Sequence, residues 1–142
     1  MRFMFDSNAF DKMLLSDIDK IIACTKHEFF VTSIQLDEIR RIPDSKQEIR
    51  NKNLEKLSKI NPDILCTIAV LGMAKLGLCV LGKGKIYDEL LVENGSNVPD
   101  AMIGDAAKRE NCTVVTNDKR FRNKLLQNEV NVVTYEEFLE YL

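Results

Sequence analysis

Residues 98–121 read VPDAMIGDAAKRENCTVVTNDKRF, and this stretch decides the fold. Pro99 and Asp100 stand where a helix begins, a position that favours both proline and an early carboxylate. Ala101, Met102, Ile103, Ala106 and Ala107 give that helix an apolar body. Asn111 and Cys112 lead into Thr113-Val114-Val115-Thr116, a β-branched run with the composition of a strand. The apolar pattern stops at Asn117-Asp118. A helix, a loop, a strand and then an acid at the strand's carboxyl end is the layout of an α/β nucleotide or phosphate site.

The same alternation runs through the rest of the chain. Phe3-Met4-Phe5 is a short apolar strand ending at Asp6, and helical spacing follows through Phe10, Met13 and Leu14. Ser16 with Asp19 has capping-box spacing for a helix whose inner face is Ile18, Ile21 and Ile22. Phe29-Phe30-Val31 is a second strand, and Thr32 with Gln35 caps the helix that carries Glu38. Residues 45–60 predict a charged surface helix with Ile49, Leu54, Leu57 and Ile60 as its inner stripe. Asn61-Pro62-Asp63 turns the chain. The apolar run over 64–81 reads equally as a buried strand or a core helix, which periodicity does not separate. A short helix is expected near Tyr87–Val92, then helix 119–127, strand 130–133, and a last helix capped by Thr134 and Glu137. The expectation is one α/β domain over residues 1–142, three layers deep (α/β/α), around a central parallel sheet.

Composition narrows the function classes. A chain of 142 residues with 45% hydrophobic content is long enough to bury a real core. Lys and Arg total 20 against 22 Asp and Glu, so any surface for a polyanion must be local rather than global. Cys24, Cys66, Cys79 and Cys112 form no C-x-x-C pair, which favours reduced thiols over disulfides or a zinc site. The start, MRFMFDSN, lacks the apolar core of a signal peptide, and Gly72, Lys75 and Gly77 interrupt the 64–81 run as a membrane span. A cytoplasmic protein with no membrane partner is expected.

Topology gathers four acids. In a parallel α/β sheet the ligand crevice lies at the carboxyl ends of the strands. Asp6 and Asp118 follow strands, Glu38 rides the helix leaving the second strand, and Asp100 opens a helix that runs back antiparallel to the sheet. All four therefore belong to one edge. Carboxylates gathered together repel unless cations lie between them, and an all-oxygen donor set suits Mg²⁺ or Mn²⁺. Pairs of such ions serve phosphodiester hydrolysis. The single histidine, His27, precedes the second strand, which argues against imidazole-based chemistry.

Four motifs now carry a family resemblance. FDSNAF with Asp6, VTSIQLDEI with Glu38, PDAMIGDAA with Asp100 and VVTNDKRF with Asp118 occur in that order across almost the whole chain. In this the chain resembles a PIN-domain ribonuclease, and its size is similar to that of the VapC-type toxins of bacterial and archaeal toxin–antitoxin pairs. The resemblance implies a metal-dependent endoribonuclease in which Asp6, Glu38, Asp100 and Asp118 bind Mg²⁺ or Mn²⁺. It implies that Asn8 and Thr116 orient carboxylates or water behind them, and that an antitoxin is a candidate partner. A homodimer is left open. Residues 62–97 match no family pattern.

Blander readings stand beside these. Asp6 reads also as a helix cap, and Glu38 as a solvated neighbour of Asp37. Asp105 lies about 140° round the helix from Asp100, as an additional ligand or as a helix charge. Arg40, Arg41, Lys119, Arg120 and Arg122 would hold phosphates of single-stranded or structured RNA, or form a solvated face. Ser7 and Asn117 read as turn residues. Two competing functions are a PIN-like module that binds RNA or protein without cleaving, and a haloacid-dehalogenase-like phosphatase. The second wants an acid two residues after Asp6, where this chain has Asn8.

Overall fold

The structure is a computed structural model that describes residues 1–68, 79–80 and 98–142. Five parallel strands form the central sheet: β1 (Arg2–Phe5), β2 (Glu28–Thr32), β3 (Asp63–Leu65), β6 (Thr113–Val115) and β7 (Val132–Val133). Their order is β3-β2-β1-β6-β7. Strands β4 (Thr67–Ile68) and β5 (Cys79–Val80) make a separate parallel pair. The helices are α1 (Ala9–Lys12), α2 (Leu15–Ala23), α3 (Ser33–Arg40), α4 (Gln47–Ile60), α5 (Val98–Arg109), α6 (Lys119–Gln127) and α7 (Tyr135–Leu139). The expected three-layer α/β/α arrangement with a central parallel sheet is what the chain forms.

β1 is central because its residues are apolar on both faces. Phe3, Met4 and Phe5 are all completely buried. Successive strand side chains point to opposite faces, so the run feeds two cores at once. Phe3 and Phe5 pack with Phe10, Ile18, Ile21, Ile39 and Phe138, beneath α2, α3, α4 and α7. Met4 packs with Ile103, Ala106, Val114, Phe121 and Leu125, beneath α5 and α6. The phenyl rings of Phe3 and Phe5 both meet Phe138 edge-on, at 5.0 and 5.2 Å between centroids, which anchors the last helix to the first strand.

Several local expectations needed correction. α2 does not begin with Ser16 and Asp19. Instead Leu14 N–H donates to Asp17 Oδ2 at 3.0 Å, and the Tyr135 hydroxyl donates to the same oxygen at 2.9 Å. Asp17 is buried, and its one oxygen both closes the start of α2 and holds α7. Ile22, expected inward, is 54% exposed, and Leu14 is exposed as well. On α4 the inner stripe keeps Leu54, Leu57 and Ile60, but Ile49 is 44% exposed and Asn53 is buried. Within the ambiguous 64–81 run, the described residues are strand apart from Cys66, and Ile64 on the edge strand β3 is exposed. None of the four cysteines is in a disulfide, and Cys112 is the buried one. The helix expected near Tyr87–Val92 lies outside the described residues. No described helix is long and apolar enough to cross a membrane.

Candidate functional site

The carboxyl edge of the sheet is built by register. Phe5 pairs with Val115, and Asp6 N–H continues the ladder to the Val115 carbonyl at 3.0 Å. The first residues beyond the two strands, Asp6 and Thr116, are therefore neighbours. The Thr116 hydroxyl donates to Asp6 Oδ2 at 2.7 Å, and Asn8 Nδ2 donates to the same oxygen at 2.7 Å. Ser7 N–H donates to Asp6 Oδ1 at 2.8 Å. Asn8 is held in turn by Asn117 N–H, which donates to its Oδ1 at 3.2 Å. Thr116 Oγ1 also accepts the Asp118 N–H at 3.1 Å, so one hydroxyl ties Asp6 to the turn that carries Asp118. Asn117 is more than a turn residue: its side chain accepts Tyr135 N–H at 3.1 Å and donates to Glu136 at 2.8 Å, fastening the end of β6 to α7.

The other acids arrive on helices. Glu38 is exposed on α3, whose start is closed by the Thr32–Gln35 capping box. Asp100 lies in the first turn of α5. Asp118 is the N-cap of α6, its Oδ1 accepting from Arg120 N–H at 2.8 Å and Phe121 N–H at 3.1 Å. Burial pushes the Asp6 carboxyl up to about 6, the Thr116 bond opposes this, and the charges of Glu38 and Asp100 add to it. Burial likewise raises Asp100 to about 6, against Lys124 and with Asp118 and Glu38. The charges of Glu38 and Asp100 thus reach Asp6, and those of Asp118 and Glu38 reach Asp100.

Lys124 was not legible as a site residue, yet its Nζ stands 3.8 Å from Asp100 Oδ2 with only 13% of its side chain exposed. The available signal was its place on α6, three residues after buried Phe121 and next to buried Leu125. Asp105 is buried one turn beyond Asp100, and its Oδ2 accepts from Arg109 Nη1 at 2.9 Å. Arg40, Arg41, Lys119 and Arg120 are all exposed. Arg40 is 4.0 Å from Asp37, and Arg122 pairs with Glu137 at 3.4 Å.

An oxygen-only donor set with two desolvated carboxyls matches the chemistry of Mg²⁺ or Mn²⁺. Among the described residues, no three Asp, Glu, His or Cys side chains already stand close enough to enclose a metal ion. With Asp118 capping a helix and Lys124 beside Asp100, the acids share a crevice without converging on a single point.

The family model of the PIN domain matches residues 82–124, a span that includes Asp100, Thr116 and Asp118 and that also takes in residues 82–97, where no family pattern was expected. No curated protein matches the sequence. Among solved structures, a protein from Pyrobaculum aerophilum is similar at 16% identity and a TM-score of 0.62, over 99% of this chain and 94% of its own. VapBC2 from Rickettsia felis, bound to a DNA fragment from its promoter, is similar at 20% identity and a TM-score of 0.58, over 94% and 98%. VapBC-1 from nontypeable Haemophilus influenzae gives 17% identity and a TM-score of 0.55, over 96% and 99%. The family match over residues 82–124 and the likeness in fold are both to PIN-domain proteins, and the fold is PIN-like.

Proposed function

We propose that the chain is an Mg²⁺- or Mn²⁺-dependent endoribonuclease that hydrolyses phosphodiester bonds of single-stranded or structured RNA. The observation that carries this reading is the placement of Asp6 and Asp118 at the carboxyl ends of β1 and β6, tied together by the Thr116 hydroxyl, with the charges of Glu38 and Asp100 acting on Asp6. These four would hold the metal, with Asp105 as an additional ligand if Arg109 yields it. A divalent ion bound there would activate water and offset charge on the scissile phosphate. The chain's own residues prepare that site. Three donors, from Ser7, Asn8 and Thr116, fix the Asp6 carboxylate and favour its charged form against burial. The cap bonds hold Asp118 Oδ1. Arg40, Arg41, Lys119 and Arg120 would take backbone phosphates on either side, a contribution that weakens with salt.

Similarity to VapBC assemblies supports a further part of the proposal, that this chain is the toxin of a pair and that a small antitoxin protein covers its site. A soluble cytoplasmic protein, as a monomer or a homodimer, suits that role. The test is incubation with labelled single-stranded RNA in Mn²⁺ and in EDTA. Cleavage in metal alone, leaving 5′-phosphate and 3′-hydroxyl ends, is the expected result. A 2′,3′-cyclic phosphate product would overturn it, because that end marks attack by the RNA's own 2′-hydroxyl.

A further inference from the structure

Beside the acid crevice, a half-open cleft of about 150 Å³ lies between α1, α3 and α4. Asn8 and Glu38 form the wall it shares with the candidate site. Its far side is Asp11 and Asn53, and Ile39 and Ile42 supply apolar surface. The volume is that of roughly five liquid waters, space for one flat ring system and not for a base pair.

The lining selects a kind of ligand. Asn53 is the one buried residue of α4, on a helix otherwise partly or fully exposed, and burying an amide is costly unless its bonds are met. Asn53 Nδ2 donates to Asp11 Oδ1 at 2.6 Å, which holds the Asp11 carboxylate at the cleft. Two cations stand by the lining: Lys56 donates to the Phe10 carbonyl and, at 3.5 Å, to Asn53 Oδ1, and Arg50 donates to the Ile42 carbonyl at 2.9 Å and pairs with Asp44. Two carboxylates, Asp11 and Glu38, therefore face the cleft with no ammonium directed to it from Lys56. Those carboxylates favour a neutral group rich in donors.

Resting on the RNA reading above, we infer that this cleft is a nucleobase subsite next to the scissile phosphate, taking guanine in preference to other bases. Guanine offers two adjacent donors, N1–H and the N2 amine, to the two oxygens of one carboxylate. Adenine and cytosine offer one amine beside an acceptor, and uracil places carbonyls on both sides of its single N–H. Sequence-specific RNA recognition works on such splayed-out single bases read on their Watson–Crick edge. Ile42 gives the ring its apolar contact, with the buried Ile39 beneath it.

The test has two arms. Cleavage of a random-sequence RNA in Mn²⁺ is mapped for wild type and for Asp11→Asn, and methyl spectra of the metal-free wild type are followed with guanosine and with uridine. Wild type should cut next to guanine, Asp11→Asn should lose that preference by about tenfold or more, and guanosine should move the Ile39 and Ile42 methyls at concentrations where uridine does not. Cleavage with no base preference, or equal response to both nucleosides, overturns the subsite while leaving the nuclease reading intact. No cleavage at all overturns the nuclease reading, and the nucleoside titration then decides the cleft alone.

Discussion

The Thr116 hydroxyl bridges two candidate ligands, donating to Asp6 Oδ2 at 2.7 Å and accepting the Asp118 N–H at 3.1 Å. The bond to Asp6 favours the ionised carboxylate and works against its burial. Thr116→Val keeps the shape and removes that donor. The Asp6 titration midpoint should then rise above about 6, and Mn²⁺ affinity should drop by roughly 10- to 100-fold, the usual effect of losing a partner behind a ligand. Thr116→Ser should restore both. Carboxyl NMR titration and calorimetric Mn²⁺ binding measure this, and an unchanged Asp6 midpoint would sink the assignment.

Asp6 and Asp100, both raised from 3.8 to about 6, set the pH dependence of the metal-free protein. Burial is the larger cause in each. A carboxyl with a raised folded-state pKa binds more protons folded than unfolded between those values, so stability should fall as pH climbs from about 4 to about 6. Glu136 is lowered to about 2 by its bonds to Lys12 and Asn117 and has the opposite sign, but its window lies below that of the buried pair. Asp100→Asn should flatten the fall. After allowance for solvent screening, a gain of roughly 1 kcal/mol at neutral pH corresponds to about 2–4 °C in Tm. Asp6→Asn is the poorer probe, because an amide would turn a donor toward Asn8 Nδ2. Thermal unfolding in EDTA across this range checks the sign. An Asp100→Asn protein that melts lower at every pH would show that the acid supports the fold.

Asp118 has two roles that substitutions separate. As N-cap it satisfies the Arg120 and Phe121 amides. Asp118→Ala should cost about 1 kcal/mol of stability as well as activity, whereas Asp118→Asn, also a good cap, should melt near wild type and fail to cleave RNA. Retained cleavage by Asp118→Asn, with trace nuclease excluded, would leave the residue as a cap and nothing more.

The edge where these acids gather was legible because parallel α/β topology dictates it from strand ends and helix direction alone. The Thr32–Gln35 and Thr134–Glu137 capping boxes were legible for the same kind of reason, being complete within four residues. What the pattern missed was long-range. Asp17, not Asp19, closes the start of α2 and is held by Tyr135, 118 residues away. Asn53 displaces Ile49 from the inner stripe because Asp11, on another helix, satisfies its amide. Asp118 was read as an acid without its cap, although it directly precedes the helix expected over 119–127 and so stands at an N-cap position. Lys124 could not be paired with Asp100 from spacing, since α5 and α6 meet only after the sheet has formed.

That pairing supports a last prediction. Lys124 Nζ is 3.8 Å from Asp100 Oδ2, and its charge lowers the Asp100 pKa against burial. In the metal-free protein it therefore offsets part of the repulsion from Asp118 and Glu38. A divalent cation bound by Asp100 would compete with the ammonium for the same carboxylate. Lys124→Gln should accordingly lower Tm in EDTA, because Asp100 loses its counter-charge while the other acids remain. The same variant should bind Mn²⁺ more tightly and gain more Tm from it, since ligand stabilisation grows with the ratio of metal to Kd. Wild type and variant are compared by thermal unfolding in EDTA and in millimolar Mn²⁺, with Kd from calorimetry. If Lys124→Gln loses stability and also binds Mn²⁺ more weakly, the lysine supports the metal site rather than competing with it. If neither Tm nor Kd moves, the ion pair contributes nothing at this edge.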